Sequence, residues 1–306
     1  MQRRSFFKKT IAAGSGLILG GGFYSEAKEI INIKEQIFNL HYAPHLEMFK
    51  SVVGDNPIDQ LQFMASQGFT AFEDNNMKDR DVDLQNEIAE TLKTNNMIMG
   101  VFVAHTIGWK EPNLASGNKE KREEFLDEIK SSIQVAKRLG AKWMTVVPGA
   151  IDPKLAFEYQ TANVVESLKA ASEIIEPHNL IMVLEPLNFR DHPGMFLNES
   201  PQAYQICKAV DSPSCKILFD IYHQQIQEGN LIPNIDKCWD EIAYFQVGDN
   251  PGRNEPGTGE INYRNIFKHI YSKGFNGLVG MEHGNSIIGE EGAFAVINAY
   301  KDADNF

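Results

Sequence analysis

The sequence predicts a closed (β/α)8 barrel, and three observations carry that expectation. Eight short apolar runs with β-branched or aromatic character recur at fairly even intervals. The segments between them carry helical periodicity. The junctions SQGFTAF, RLGAKWM and SKGFNGL share one pattern, in which a helix ends at glycine, an apolar residue turns the corner and a strand begins. Such strand–helix alternation in a domain-sized chain favours a parallel sheet closed on itself. A doubly wound open sheet is the alternative, but neither GxGxxG nor a GxxxxGK phosphate loop is present.

The strand runs are Ile37–Tyr42, Phe69–Glu73, Ile98–His105, Trp143–Pro148, Ile181–Pro186, Ile217–Tyr222, Ala243–Val247 and Leu278–Glu282. Helical patterns follow the first three at Ile58–Gln67, Leu84–Thr94 and Lys121–Leu139, the last closed by Gly140. Another, Ile261–Lys273, follows the seventh and is closed by Gly274. The Gly- and Pro-rich stretch Asn250–Gly259 reads as a long loop after strand seven, on the face where barrels carry chemistry. Met144, Phe219 and Phe245 lie on strands and are expected to pack the core rather than stack on a cofactor.

Ahead of the first strand, Arg3-Arg4-Ser5-Phe6-Phe7-Lys8 forms a twin-arginine pattern. A Gly-rich apolar run, Ile11–Phe23, and the small residues of Ser25-Glu26-Ala27 follow. The arrangement predicts a signal peptide over residues 1–27 and a single barrel domain over 28–306. It implies the Tat export machinery as a partner and a periplasmic or exported location. The alternative is a basic N-terminus ahead of a buried helix, but the glycines suit a cleavable segment better. The run is short for a membrane span, so no stable span is expected after cleavage.

Cleavage would leave 279 residues and move the formal charge from −12 to −15. That charge repels phosphate backbones and argues against a nucleic-acid partner. It suits a soluble protein acting on small molecules; a homo-oligomer is left open. The cysteines Cys207, Cys215 and Cys238 have no metal-ligand spacing and read as packing residues, with a Cys207–Cys215 bridge as the alternative.

The chemistry is concentrated in strands five to eight. Glu185 (IMVLEPLN), Asp220 (KILFDIYH), Gln246 (YFQVGD) and Glu282 (LVGMEH) each sit at or near a strand's C-terminal end. In a barrel those ends converge on one mouth. Buried carboxylates are costly without a compensating charge, so three carboxylates and an amide read as an oxygen-rich metal site. Mn²⁺, Mg²⁺ or Co²⁺ would suit it, and Zn²⁺ less well. Isolated ion pairs at strand ends are the weaker account, because the pattern repeats on successive strands. His223, three residues after Asp220, is a candidate substrate contact. Arg253 and Glu255 in the loop after strand seven are further substrate-binding candidates, with Arg253 placed for a carboxylate. The alternative for Arg253 is a salt bridge to Glu255 or Glu260. His105 and Glu73 are expected as hydrogen-bonded residues of the mouth, and His283 is expected to point away from Glu282's face.

The segments LEPLNFRDHPGMFL, LFDIYHQQIQEGNL and QVGDNPGRNEPGTGEINY resemble hydroxypyruvate isomerases, which are xylose isomerase-like TIM barrels with ketose 3-epimerases as neighbours. The resemblance covers Ile181–Glu282. It implies the barrel, a divalent metal, and two glutamates as an acid/base pair at Glu185 and Glu282. Asp220 and Gln246 take the remaining ligand positions, where many relatives have His for Gln246. The first half departs from the family. Glu73 is followed by Asp74-Asn75-Asn76-Met77 instead of an aromatic FPY segment, and AHTIGWKEPN replaces a Gly-Asp-Trp loop. Those loops shape the substrate pocket.

The implied reaction is an aldose–ketose type isomerisation of a small hydroxy-keto acid or sugar through an enediolate. Return of the proton to the same carbon would make it a ketose 3-epimerase instead. A non-catalytic carbohydrate-binding barrel is a reading of another class. A metal-dependent abasic-site endonuclease would need more histidines at strand ends and a basic groove.

Overall fold

The computed structural model describes residues 37–306. The twin-arginine segment and its cleavage position lie outside the described residues. Among the described residues the chain runs β1 (His41–Ala43), α1 (Lys50–Val53), α2 (Pro57–Ser66), β2 (Ala71–Phe72), α3 (Val82–Thr94), β3 (Ile98–Met99), α4 (Lys119–Leu139) and β4 (Trp143–Val146). It continues through α5 (Phe157–Ile175), β5 (Ile181–Leu184), α6 (Ser200–Val210), β6 (Cys215–Asp220), α7 (Ile221–Gln227), α8 (Leu231–Cys238), β7 (Ile242–Gln246), α9 (Tyr263–Ser272), β8 (Leu278–Gly280) and α10 (Glu290–Ala303).

All strand pairs are parallel. One sheet has the order β1-β8-β7-β6-β5-β4, and β2 pairs with β3. Short seams join the two. Glu73 N donates to Pro44 O at 3.0 Å, linking β2 to β1. Thr145 N to Phe102 O at 2.8 Å and Ala104 N to Thr145 O at 3.0 Å link β3 to β4. The strands thus close into a ring. One buried cluster fills its interior with a residue from each strand run: Ala43, Ala71, Val101, Trp143, Val183, Leu218, Tyr244 and Leu278. The ring's outer face packs on the helices, and Met144, Phe219 and Phe245 lie fully buried there, as expected.

Every strand differs by some residues from its predicted extent, and the first and third show why. The first pairs only from His41, because Asn39 turns to the other end of the chain, donating from both N and Nδ2 to Asp304. Phe38 meanwhile stacks on Phe69 at 5.1 Å. The third pairs regularly only over Ile98–Met99, and its later residues form the seam to β4. Helix ends follow cap chemistry. Asn118 Oδ1 accepts from Lys121 N at 2.9 Å to start α4, and Gly140, at φ 66°, ends it. Cys207, Cys215 and Cys238 are buried and free, so no Cys207–Cys215 bridge forms. No helix among the described residues is long and apolar enough to cross a membrane.

Candidate metal and catalytic site at the barrel mouth

The C-terminal ends of β5 to β8 deliver the expected side chains to one place. Asp220 and Gln246 are aligned in the β6–β7 register, and Gln246 pairs with Gly280 of β8. One ligand atom each from Glu185, Asp220, His223 and Glu282 lies within 4.8 Å of the others.

Asp220 divides its carboxylate. Oδ1 caps α7 by accepting from Tyr222 N at 2.8 Å and His223 N at 3.2 Å. Oδ2 faces the cluster, 2.9 Å from Arg253 Nη2 and 3.5 Å from His223 Nε2. The same turn therefore fixes Asp220 and brings His223 to the site.

Burial, followed by the charges of Glu282 and Asp220, pushes the Glu185 carboxyl well above the ordinary carboxylate range. Burial also raises Asp220, against the pull of Arg253. Burial opposes the charge on Arg253, but Glu282, Asp220 and Glu185 outweigh it and keep the guanidinium protonated. Arg253 Nη2 contacts both Asp220 and Glu282, Nε donates to Glu282 O at 3.1 Å, and the guanidinium lies 4.8 Å from the Tyr222 ring centre. Its partners are thus the site carboxylates, not Glu255 or Glu260.

His223 is a neutral donor. Its Nδ1 accepts from Asn188 N at 3.3 Å and Asn188 Nδ2 at 2.6 Å. That assigns the proton to Nε2, which faces Glu185 Oε1 at 3.6 Å and Asp220 Oδ2 at 3.5 Å. Burial, then Arg253, lowers its pKa to about 3. With Nε2 protonated, His223 offers a hydrogen bond rather than a metal lone pair.

Gln246, in register with Asp220 and Gly280, is the other candidate oxygen. Its Nε2 donates to Glu73 Oε1 at 3.4 Å, and its buried Oε1 has no hydrogen-bond partner among the described residues. An orphaned buried carbonyl costs about 1–3 kcal/mol, which a cation would offset. Three crowded carboxylates and this unmatched amide oxygen are the donor set of a hard divalent ion, so the residues fit one.

Beneath the site, Glu73 also accepts from Tyr244 OH at 2.8 Å. Burial, then the Glu282 charge, raises the Glu73 carboxyl well above its usual range. Glu73 has room because position 280 is glycine; a Cβ there would fall 2.0 Å from Glu73 Oε2.

A cavity of about 520 Å³ opens onto the cluster, with Glu185, Glu282, His223 and Arg253 in its wall. Glu255 is not in that wall. It accepts from Ser286 N at 2.9 Å and from Ser286 Oγ, tying the loop after β7 to the loop after β8. His105 does line the cavity but is held by the backbone, donating from Nδ1 to Thr106 O at 2.9 Å and accepting from Val147 N at 3.3 Å. His283 turns outward to Tyr300 OH, 2.9 Å away, as strand alternation predicts. Sequence reasoning missed Asn75, whose Nδ2 donates to Glu282 Oε1 at 2.6 Å. It also missed His192, which lies 5.4 Å from the His223 ring and stacks on Trp109.

The chain is 37% identical over 163 residues to hydroxypyruvate isomerase of Escherichia coli K12, covering 53% of this chain and 63% of that protein. The match thus spans less than two thirds of that relative's length. It is 29% identical over 198 residues to 2-oxo-tetronate isomerase of Cupriavidus necator, covering 64% of this chain and 76% of that one. Among solved structures, AP endonuclease, family 2 from Brucella melitensis superposes with a TM-score of 0.73 at 27% identity, over 83% of this chain and 96% of that chain. Residues 61–302 match the family described as xylose isomerase-like TIM barrel, and the chain belongs to that family.

Proposed function

We propose that the protein is a metal-dependent isomerase of a small hydroxy-keto acid or sugar. The observation that carries this reading is the convergence of Glu185, Asp220 and Glu282 beside a cavity that Glu185 and Glu282 line. Glu185, Asp220, Gln246 and Glu282 would hold the cation. Bound there, a divalent ion would polarise a substrate carbonyl and its neighbouring hydroxyl.

The chain's own groups would do the rest. One of Glu185 and Glu282 removes the proton from the carbon between carbonyl and hydroxyl, and the other returns a proton to the adjacent carbon. The His223 Nε2–H supplies a fixed donor to a substrate oxygen, with Asn188 holding the tautomer. Arg253 balances the carboxylate charge. The hydroxypyruvate and 2-oxo-tetronate isomerases among the relatives support a keto-acid substrate. We also propose Tat-dependent export, on the paired arginines Arg3 and Arg4.

The test is NMR of the Mn²⁺-loaded protein with hydroxypyruvate, and with four-carbon keto acids, in deuterated water. Interconversion with solvent deuterium at the carbon next to the carbonyl is expected. A product differing only in configuration would shift the reading to a 3-epimerase. Binding without turnover of any of these, or of simple ketoses, would defeat the isomerase reading. Normal turnover with full retention of the substrate hydrogen would reduce the two glutamates to ligands.

A further inference from the structure

We propose that Lys78 is a carboxylate-binding subsite in the wall of the same cavity. The proposal rests on the isomerase reading and deepens it by naming what recognises the acid group of a keto-acid substrate.

Lys78 and Arg253 are the lysine and arginine residues of the cavity wall. Arg253 is already engaged, with Asp220 and Glu282 on Nη2 and Glu282 O on Nε. The lining histidines His105 and His223 already spend their ring nitrogens, His105 on Thr106 O and Val147 N, His223 on Asn188 and the site carboxylates. A substrate carboxylate entering this cavity is best met by a cation with no carboxylate partner of its own.

Lys78 is built to be that cation. It sits on the short turn Met77–Asp79 after β2 and is half-buried. Its Nζ donates to Ala104 O at 2.7 Å and Glu128 O at 3.2 Å, both backbone carbonyls. An ammonium has three donors, so one is left. No carboxylate lies within the 4.0 Å of an ion pair among the described residues. The adjacent Glu128 carboxylate is occupied by Thr106, through N and Oγ1, each at 2.7 Å. Its hydrogen-bond acceptors are neutral, and the nearby Glu128 and Asp79 charges only partly offset its burial, so an arriving anion stabilises it further. Two fixed carbonyls also restrict the flexible stem, so little ordering remains to be done on binding.

A purely structural account would make Lys78 a staple between the turn after β2 and helix α4. The experiment separates the two. Mn²⁺-loaded wild type, Lys78→Met and Lys78→Arg are titrated calorimetrically with D-glycerate, a carboxylate that cannot isomerise, and with glycerol. The KM values for hydroxypyruvate and for uncharged dihydroxyacetone are measured in parallel. Lys78→Met is expected to weaken D-glycerate about tenfold or more, the scale of one charge-assisted hydrogen bond. The ratio of the hydroxypyruvate KM to the dihydroxyacetone KM should rise by a similar factor, and Lys78→Arg should recover part of the loss. If Lys78→Met does not fold, Lys78→Gln, which keeps a donor for one carbonyl, gives the same readout. Equal effects on charged and uncharged ligands, or no effect on D-glycerate, would overturn the subsite. A protein that turns over no keto acid but loses D-glycerate affinity on Lys78→Met would keep the subsite and lose the isomerase reading.

Discussion

His105 should make the fold sensitive to mild acid. Its ring is 3% exposed, packs edge-on against Phe125 at 5.0 Å, and is neutral with Nε2 accepting from Val147 N. Protonation would turn that acceptor into a donor facing an N–H. Burial, opposed by the Glu128 charge, holds its pKa at about 4. In the unfolded chain it returns to about 6.5. The unfolded state therefore binds the proton first, and stability present above pH 6.5 falls as the pH drops towards 4. At pH 5 the loss from this one group is about 2 kcal/mol by linkage, and below pH 4 it levels off near about 3 kcal/mol. The assay is urea unfolding at pH 7 and pH 5 for wild type and His105→Gln, whose amide oxygen can still accept from Val147 N. Whatever the absolute stabilities, the variant should lose about 2 kcal/mol less than wild type between the two pH values. Equal losses would refute the argument that burial keeps His105 neutral.

The remaining expectations follow the site. Because Glu185 and Glu282 face one cavity, Glu185→Gln and Glu282→Gln should each lower turnover at least about a hundredfold, the scale of a lost acid/base group; losses below threefold in steady-state assays would remove them from proton transfer. Asp220 faces the carboxylate cluster, so Asp220→Asn should weaken Mn²⁺ binding by calorimetry, with activity partly rescued by excess Mn²⁺; unchanged affinity would take Asp220 out of the ligand set. The paired arginines motivate Arg3→Lys/Arg4→Lys, which should leave precursor in the cytoplasm on fractionation; normal periplasmic accumulation would sink the export proposal.

Strand ends were the most legible part of this chain, because alternation and Gly-closed helices are local signals. A carboxylate at the same point of successive strands has only one geometric consequence in a parallel ring, and Glu185, Asp220 and Glu282 meet accordingly. His223 was legible for the same reason, lying one turn beyond Asp220 on the helix that Asp220 caps. Loop residues were not. Glu255 and Arg253 are two positions apart, yet one turns to Ser286 and the other to the carboxylates. Arg253 does so from a left-handed backbone, φ 50°, that nothing in its neighbours announces. Asn75 and Lys78 reach the cavity from the other half of the barrel, where spacing carries no information about distance to Glu282. The early end of regular pairing in β3 was hidden because its later residues remain buried and apolar.

The glycine at 280 ties the evolutionary freedom of two distant positions together. A methyl group at 280 collides with the Glu73 carboxyl, which can move only by giving up its hydrogen bonds from Tyr244 and Gln246. Shortening Glu73 first strands the Tyr244 hydroxyl and the Gln246 amide N–H it now accepts from. Either order of single steps disturbs the same hydrogen bonds, so positions 73 and 280 are best changed together. A library that varies the mouth alone would explore new substrates on an unaltered foundation; one that varies position 280 alone would have to displace the Glu73 carboxyl each time.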